Sequence, residues 1–162
     1  MNFVDSIKSG FRNYATFSGR ASRSEYWWFW LFGLIGSSVA SSLSDSISKV
    51  FFFAIFLPSL AMGVRRLHDT GRSGWWIAVP YTSLAIAIVA GIVILIDAGV
   101  DLAGSVSTNS IDSFDGISAP VLLIAGLALL TSFVGFLANL VFLVQKSDPN
   151  LNRFGPPPPP KV

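Results

Sequence analysis

Uncharged apolar stretches alternate along this chain with short polar ones. Four of them stand out, at residues 26–44, 50–64, 73–96 and 116–145. A helix needs about 20 mostly apolar residues, rising 1.5 Å each, to cross roughly 30 Å of hydrocarbon. The third and fourth stretches meet that length, the first is marginal, and the second is short. Extended back to Ile47, with Lys49 snorkelling to the interface, the second reaches about 27 Å, which mild bilayer thinning accommodates. The pattern predicts an all-α polytopic membrane protein with four transmembrane helices, at about 24–44, 47–65, 74–96 and 119–145. Together they form a single membrane domain over 1–146, followed by a cytoplasmic Pro-rich tail over 147–162. Ahead of the spans, residues 3–15 read as an amphipathic interfacial helix. Phe3, Val4, Ile7, Phe11 and Tyr14 fall within an arc of about 100°, with Asp5, Lys8, Ser9 and Arg12 on the other side. Such a helix lies in the inner-leaflet interface or packs under the bundle, and the pattern does not choose between them.

Composition supports the bilayer. The chain is 52% hydrophobic and 12% charged, where a soluble domain carries about 25% charged residues. A soluble fold with unusually apolar core helices is disfavoured by the length of the last two runs. Cysteine is absent, which excludes disulfides, thiolate metal sites and a Cys nucleophile. His68 is the one histidine, so multi-His metal sites are excluded and Ser-His catalysis is disfavoured. No catalytic constellation emerges, and no cofactor, metal or nucleic-acid partner is expected.

Charge placement orients the spans. With four crossings, Lys8, Arg12, Arg20, Arg23, Arg65, Arg66, Arg72, Lys146, Arg153 and Lys161 share one side, and Lys49 alone faces the other. That asymmetry predicts cytoplasmic N- and C-termini. Trp27, Trp28, Trp30, Trp75 and Trp76 lie at or near the cytoplasmic ends of spans one and three, where indole rings favour the headgroup boundary. Ser38-Val39-Ala40 resembles a cleavage site after an apolar run. Cleavage is not expected, because the topology uses that run as its first span.

Between the spans, Ser22-Arg23-Ser24-Glu25 predicts a capping box, with Ser22 and Glu25 taking each other's backbone N–H. Pro58 removes a helical hydrogen bond inside span two, and Ser59 is the candidate to satisfy the freed carbonyls. Small residues every four positions (Gly33, Ser37, Ser41 and again Ser83, Ala87, Gly91) suggest close packing faces. Asn139, the strongly polar residue deep in span four, suits an interhelical hydrogen bond. The loop over 97–119, with Asp97, Asp101, Asp112 and Asp115, reads as a solvated external loop whose spacing does not suit calcium. The prolines at 156–160 suit an extended polyproline tail.

The densest polar stretch is Arg65-Arg66-Leu67-His68-Asp69-Thr70-Gly71-Arg72-Ser73-Gly74-Trp75-Trp76. Arg65 and Arg66 end span two, where the helix dipole and inner-leaflet charge favour cations. Ser73 is a candidate N-cap for span three. An antiparallel hairpin of spans one and two sets Glu25 level with Arg65 and Arg66 for an ion pair. Asp-Thr-Gly occurs once, so the paired carboxylates of an aspartic protease are missing. His68-Asp69 lacks a nucleophile, and adjacent side chains diverge. Contact with phosphate or headgroups is the better chemical use of the arginines.

Three segments carry a resemblance: Phe17-Ser18-Gly19-Arg20-Ala21-Ser22-Arg23-Ser24-Glu25-Tyr26-Trp27, the stretch from Arg65 to Trp76, and Asn152-Arg153-Phe154-Gly155-Pro156. They closely resemble the signatures of a bacterial inner-membrane family, domain of unknown function 805, the YhaH-like proteins. The resemblance implies a small polytopic inner (plasma) membrane protein without an established activity. The chain differs from shorter members by a longer stretch before the tail. The signature residues Gly19, Arg20, Arg23, Glu25, Arg65, Arg66, His68, Asp69, Gly71, Arg72, Gly74, Trp75, Asn152, Arg153 and Gly155 are expected to gather at one cytoplasmic surface. The expected function is a non-enzymatic module whose basic surface contacts lipid headgroups, a membrane-protein partner or a second copy. The alternative is a small transporter or channel subunit.

Overall fold

The computed structural model describes residues 1–97 and 119–158. The expected external loop, with Asp101, Asp112 and Asp115, lies outside the described residues, as do the last two prolines of the tail. Among the described residues the elements are helical: α1 (Phe3–Arg12), α2 (Arg23–Leu43), α3 (Asp45–Asp69), a 3-10 turn (Gly74–Ile77), α4 (Ala78–Asp97) and α5 (Ala119–Val144). Three stretches are long and apolar enough to cross a membrane: Asp45–Asp69, Gly74–Ile96 and Pro120–Val144. The fourth expected span, α2, falls short in apolarity rather than length. Its 21 residues include Arg23, Glu25 and the serines at 24, 37, 38, 41 and 42, and its Trp and Tyr rings carry polar handles.

The chain divides into two compact units, one of Met1–Ile77 with Asn139–Val162, the other of Ala78–Ala138. In the first, α2 and α3 form an antiparallel hairpin joined by Ser44. That residue ends α2 by donating its N–H to the Ala40 carbonyl at 3.2 Å and starts α3 by accepting from the Ile47 N–H at 3.2 Å. Close approach is built into the sequence. A Cβ at Gly36 would stand 2.2 Å from the Phe51 ring, and one at Gly33 would touch Ile55. Ser41 and Ser48 hydroxyls meet at 3.2 Å. The small-residue stripe of α2 is therefore a packing face within one chain. Below the polar end of the hairpin lies a core of Ala21, Phe29 and Met62, flanked by Tyr26 and Phe32.

α1 packs on α2 through Ser6 and Gly10, both buried. A Cβ on Gly10 would penetrate the Phe29 ring. Phe3 meets Trp28 edge-on, and Phe11 meets Phe29 and Phe32. The helix stops at Arg12, three residues earlier than expected, where the Asn13 amide turns back to the Ser9 carbonyl at 3.0 Å. Tyr14, beyond the helix, has a separate task. Pro58 lies in α3 without an N–H to give, which leaves the carbonyl four residues earlier without its helical donor. That carbonyl belongs to Ala54, and the Tyr14 hydroxyl donates to it at 2.9 Å. Tyr14, not Ser59, repairs the proline gap.

In the second unit, α4 meets α5 near its N-terminal end. Ser132 donates to the Pro80 carbonyl at 2.9 Å, and Gly135 leaves room for Val79. Ser83, Ala87 and Ala90 are buried along α4, as is Ala128 on α5. Gly91 faces open space, so the expected α4 stripe is packed at two of its three positions.

Candidate functional site

Three turns with glycine at positive φ, Gly19 (85°), Gly71 (75°) and Gly155 (122°), deliver the polar segments to one place. A side chain would be strained in that backbone region. At the centre is Asp69, fully buried on the last turn of α3. α3 continues through Asp69, past the expected end of span two at 65, so Arg65, Arg66 and Asp69 project from a rigid element. Arg20 donates through Nε to Asp69 Oδ1 at 2.9 Å, and its Nη2 lies 2.8 Å from the same oxygen as an ion pair. Arg66 pairs through Nη1 with Asp69 Oδ2. One carboxylate thus holds two guanidinium groups, with all three side chains 0–1% exposed. Burial of unpaired charge is costly, so this arrangement stands only because each fork is also spent elsewhere.

The remaining donors go to backbone carbonyls of the C-terminal segment. Arg20 Nη1 reaches the Asn150 carbonyl at 2.7 Å and that of Gly155 at 3.3 Å, while Nη2 donates to Asp148. Arg66 Nε donates to the Leu143 carbonyl at 3.1 Å, and Nη2 to that of Gln145. The last carbonyls of a helix have no internal partner and carry its negative dipole end. Arg66 satisfies the Leu143 carbonyl in the last turn of α5 and the Gln145 carbonyl just past its end. Arg72 assists from the loop, donating to Gln145 Oε1 at 2.7 Å with its guanidinium 3.9 Å above the Phe142 ring. The backbone adds the Asp148 N–H to the Asp69 carbonyl and the Ala21 N–H to that of Arg65, at 3.1 and 3.0 Å.

His68 joins the outer layer. Its Nδ1 lies 3.2 Å from the Gly19 carbonyl. Since a carbonyl only accepts, that nitrogen carries the proton. The ring stacks on Phe154 at 3.8 Å, and the His68 carbonyl accepts from Asn152 at 3.0 Å. Arg153 donates to the Gly71 carbonyl at 3.4 Å and lies over Phe154. His68 and Asp69 therefore have separate surroundings and do not form an acid–base pair.

Glu25 departs from the capping-box expectation. Ser22 does accept the Glu25 N–H at 3.2 Å, but the carboxylate turns away from the Ser22 N–H. It accepts from the Ser9 hydroxyl at 2.7 Å and pairs with Arg65 at 3.6 Å. Arg65 is the less satisfied guanidinium: Nη2 finds only the Met62 sulfur at 3.5 Å, and Nε is buried without a partner.

Of the sequence candidates, Gly19, Arg20, Glu25, Arg65, Arg66, His68, Asp69, Gly71, Arg72, Asn152, Arg153 and Gly155 converge. Arg23 and Trp75 remain exposed, and Gly74 gives room to Val64. Ser73 caps the 3-10 turn, accepting from the Trp75 N–H at 3.5 Å, rather than α4. Sequence reasoning missed Ser9, Phe142, Gln145 and the carbonyls of Leu143, Asp148 and Asn150. Backbone acceptors leave no mark on residue type, although the end of an apolar helix beside a spare arginine is a usable signal. The cluster has its donors turned inward, and among the described residues no group of His, Asp and Glu is placed to hold a metal. Its chemistry is cohesion.

The chain belongs to the family described as protein of unknown function DUF805, whose model matches residues 14–156. It is similar to inner membrane protein YhaH of Escherichia coli strain K12, 28% identical over 91% of this chain and 90% of that protein. It is also similar to inner membrane protein YhaI of the same strain, 43% identical over 40% of this chain and 61% of that protein. The chain thus spans under two thirds of YhaI. No solved structure matches.

Proposed function

We propose that this is a non-enzymatic inner-membrane module with four crossings and both termini in the cytoplasm, and that its exposed cations meet anionic headgroups. One observation carries the topology: Arg20, before α2, donates both to Asp69 at the C-terminal end of α3 and to the carbonyls of Asp148 and Asn150, after α5. Segments joined by one buried guanidinium lie on one face of the bilayer. A chain that leaves and returns to that face crosses an even number of times. α2 is less apolar than the other spans but accompanies α3 along its length, from Glu25 beside Arg65 to Ser41 beside Ser48. Its serines return their hydroxyls to its own backbone at Leu34, Ser37 and Val39, which lowers the cost of carrying them into hydrocarbon. The ten-to-one distribution of basic residues assigns the shared face to the cytoplasm.

Arg20, Arg65 and Arg66 spend their charge internally, so headgroup contact falls to Lys8, Arg12, Arg23 and Lys146, all exposed. α1 lies at the interface, its aromatic side against α2. Transport gains no support: the carbonyl freed by Pro58 is taken by Tyr14, and Asn139 donates to the Trp76 carbonyl at 2.7 Å. Reporter fusions at the two ends test the topology. Both report cytoplasmic location; a periplasmic signal from either end overturns it.

A further inference from the structure

α1 carries three strips along its length, not two. At about 100° per residue, Ser6, Gly10 and Asn13 fall on one strip, Asp5, Lys8 and Arg12 on a second, and Val4, Ile7 and Phe11 on a third. The first is the docked face: Ser6 and Gly10 are buried, and Gly10 lies against the Phe29 ring. The charged strip is exposed. The apolar strip is open as well, with Val4 54% and Phe11 41% exposed. The hairpin of α2 and α3 therefore does not cover it.

The contacts of α1 fix which open strip points into the bilayer. Ser9, between the docked and charged strips, donates to Glu25 at 2.7 Å, level with Arg65 at the cytoplasmic end of the hairpin. Phe11, on the apolar strip, meets Phe29 and Phe32. Tyr14, just past the helix, reaches the Ala54 carbonyl. Counted from the Glu25–Arg65 pair at 1.5 Å per residue, Phe32 lies about 10 Å along α2 and Ala54 about 16 Å along α3. One headgroup layer is roughly 5–8 Å thick. With the ion pair at headgroup level, the apolar side of α1 makes its contacts among acyl chains. We infer that α1 is sunk in the cytoplasmic leaflet, with Val4, Ile7 and Phe11 covered by lipid acyl chains and Asp5 and Arg12 turned to the headgroups. Lys8, nearest the apolar strip, snorkels to the same level. A second copy fits the strip poorly. Ten residues make about 15 Å of helix, so a strip about 10 Å wide offers roughly 150 Å², against the roughly 800 Å² that each partner gives to a stable interface. α1 thereby adds protein to one leaflet alone and acts as a wedge there. The inference rests on the interfacial position proposed for α1 and adds its depth and rotation.

The chain has no cysteine, so single-cysteine variants place a fluorophore at one chosen point. Val4→Cys and Ile7→Cys mark the apolar strip; Asp5→Cys and Arg12→Cys mark the charged one. Each labelled full chain is put into nanodiscs of phosphatidylcholine and phosphatidylglycerol with plain or brominated acyl chains, and is also titrated with aqueous iodide. Labels at Val4 and Ile7 are quenched by bromine and spared by iodide, and those at Asp5 and Arg12 show the reverse. The bromine-to-iodide ratio differs about fivefold between the strips, as befits opposite sides of a helix about 10 Å across. Equal ratios on the two strips, or iodide reaching Val4 as readily as Asp5, overturn the inference. Labels at Val4 and Ile7 that neither quencher reaches overturn it in favour of a protein cover, and disulfide-linked Val4→Cys dimers then identify a second copy. These ratios do not depend on which face of the disc corresponds to the cytoplasm. Failure of the depth and failure of the topology, which the reporter fusions measure, are read separately.

Discussion

Around Asp69, charges are buried and bonded to segments far away in sequence; along α4 and α5 up to Ala138, side chains hold mainly by shape. In that second region Thr82, Ser83 and Thr131 give their hydroxyls to their own helices, and Ser132 reaches across to Pro80. The difference follows from the solvent each region meets. Within hydrocarbon, a helix satisfies its own backbone and gains little from association beyond packing. At a helix end, four carbonyls lose their internal partners, and something must supply donors. Here arginines supply them, and one aspartate makes their burial tolerable.

The most damaging break of this contrast is Asp69→Ala, which leaves Arg20 and Arg66 buried without their counter-charge. Removing one partner of a buried pair costs about 3–5 kcal/mol, so the variant loses its cooperative thermal transition in detergent and its tail becomes open to protease. A transition close to wild type contradicts the role given to Asp69. Next comes shape. Gly36→Leu forces a side chain into Phe51 and costs about 1–3 kcal/mol, whereas Gly126→Leu on α5, where a Cβ meets nothing within 4 Å, leaves the midpoint within about 0.5 kcal/mol of wild type. Equal losses at the two glycines remove the distinction between a packed hairpin and an open helix face.

The proline repair is subtler. Tyr14→Phe removes the hydroxyl from the Ala54 carbonyl and costs about 1 kcal/mol. In a Pro58→Ala background the helix regains its own donor, and Tyr14→Phe becomes neutral. Additive effects in that cycle sever Tyr14 from the proline. Smallest is Ser132→Ala, expected to cost under about 1 kcal/mol in the same melts because the Pro80 carbonyl keeps its helical donor.

Most of the helices were legible because their signals are local. The capping serine at 22, the apolar runs and the glycine turns each act within a few residues, and the boundaries of α2 and α5 follow them closely. α3 runs four residues past its expected end at 65 because charge alone does not stop a helix. Hairpin geometry sets Glu25 level with Arg65 and Arg66, and of the two it pairs with Arg65 while Arg66 goes to Asp69; its contact with Ser9 depends on how α1 docks, which no short-range pattern encodes.

The sequence by itself determined that this chain is helical and apolar enough for a membrane, since length and hydropathy add up residue by residue. It also marked the residues that carry unusual polarity. Only the tertiary structure decided what those residues do. The partners of Arg20 and Arg66 stand 49, 77 and 130 positions away, and several are backbone carbonyls that every residue type possesses. A charge near an interface can face water, a headgroup or a buried counter-ion with the same sequence around it. Which of these it meets is set by the segments that fold over it.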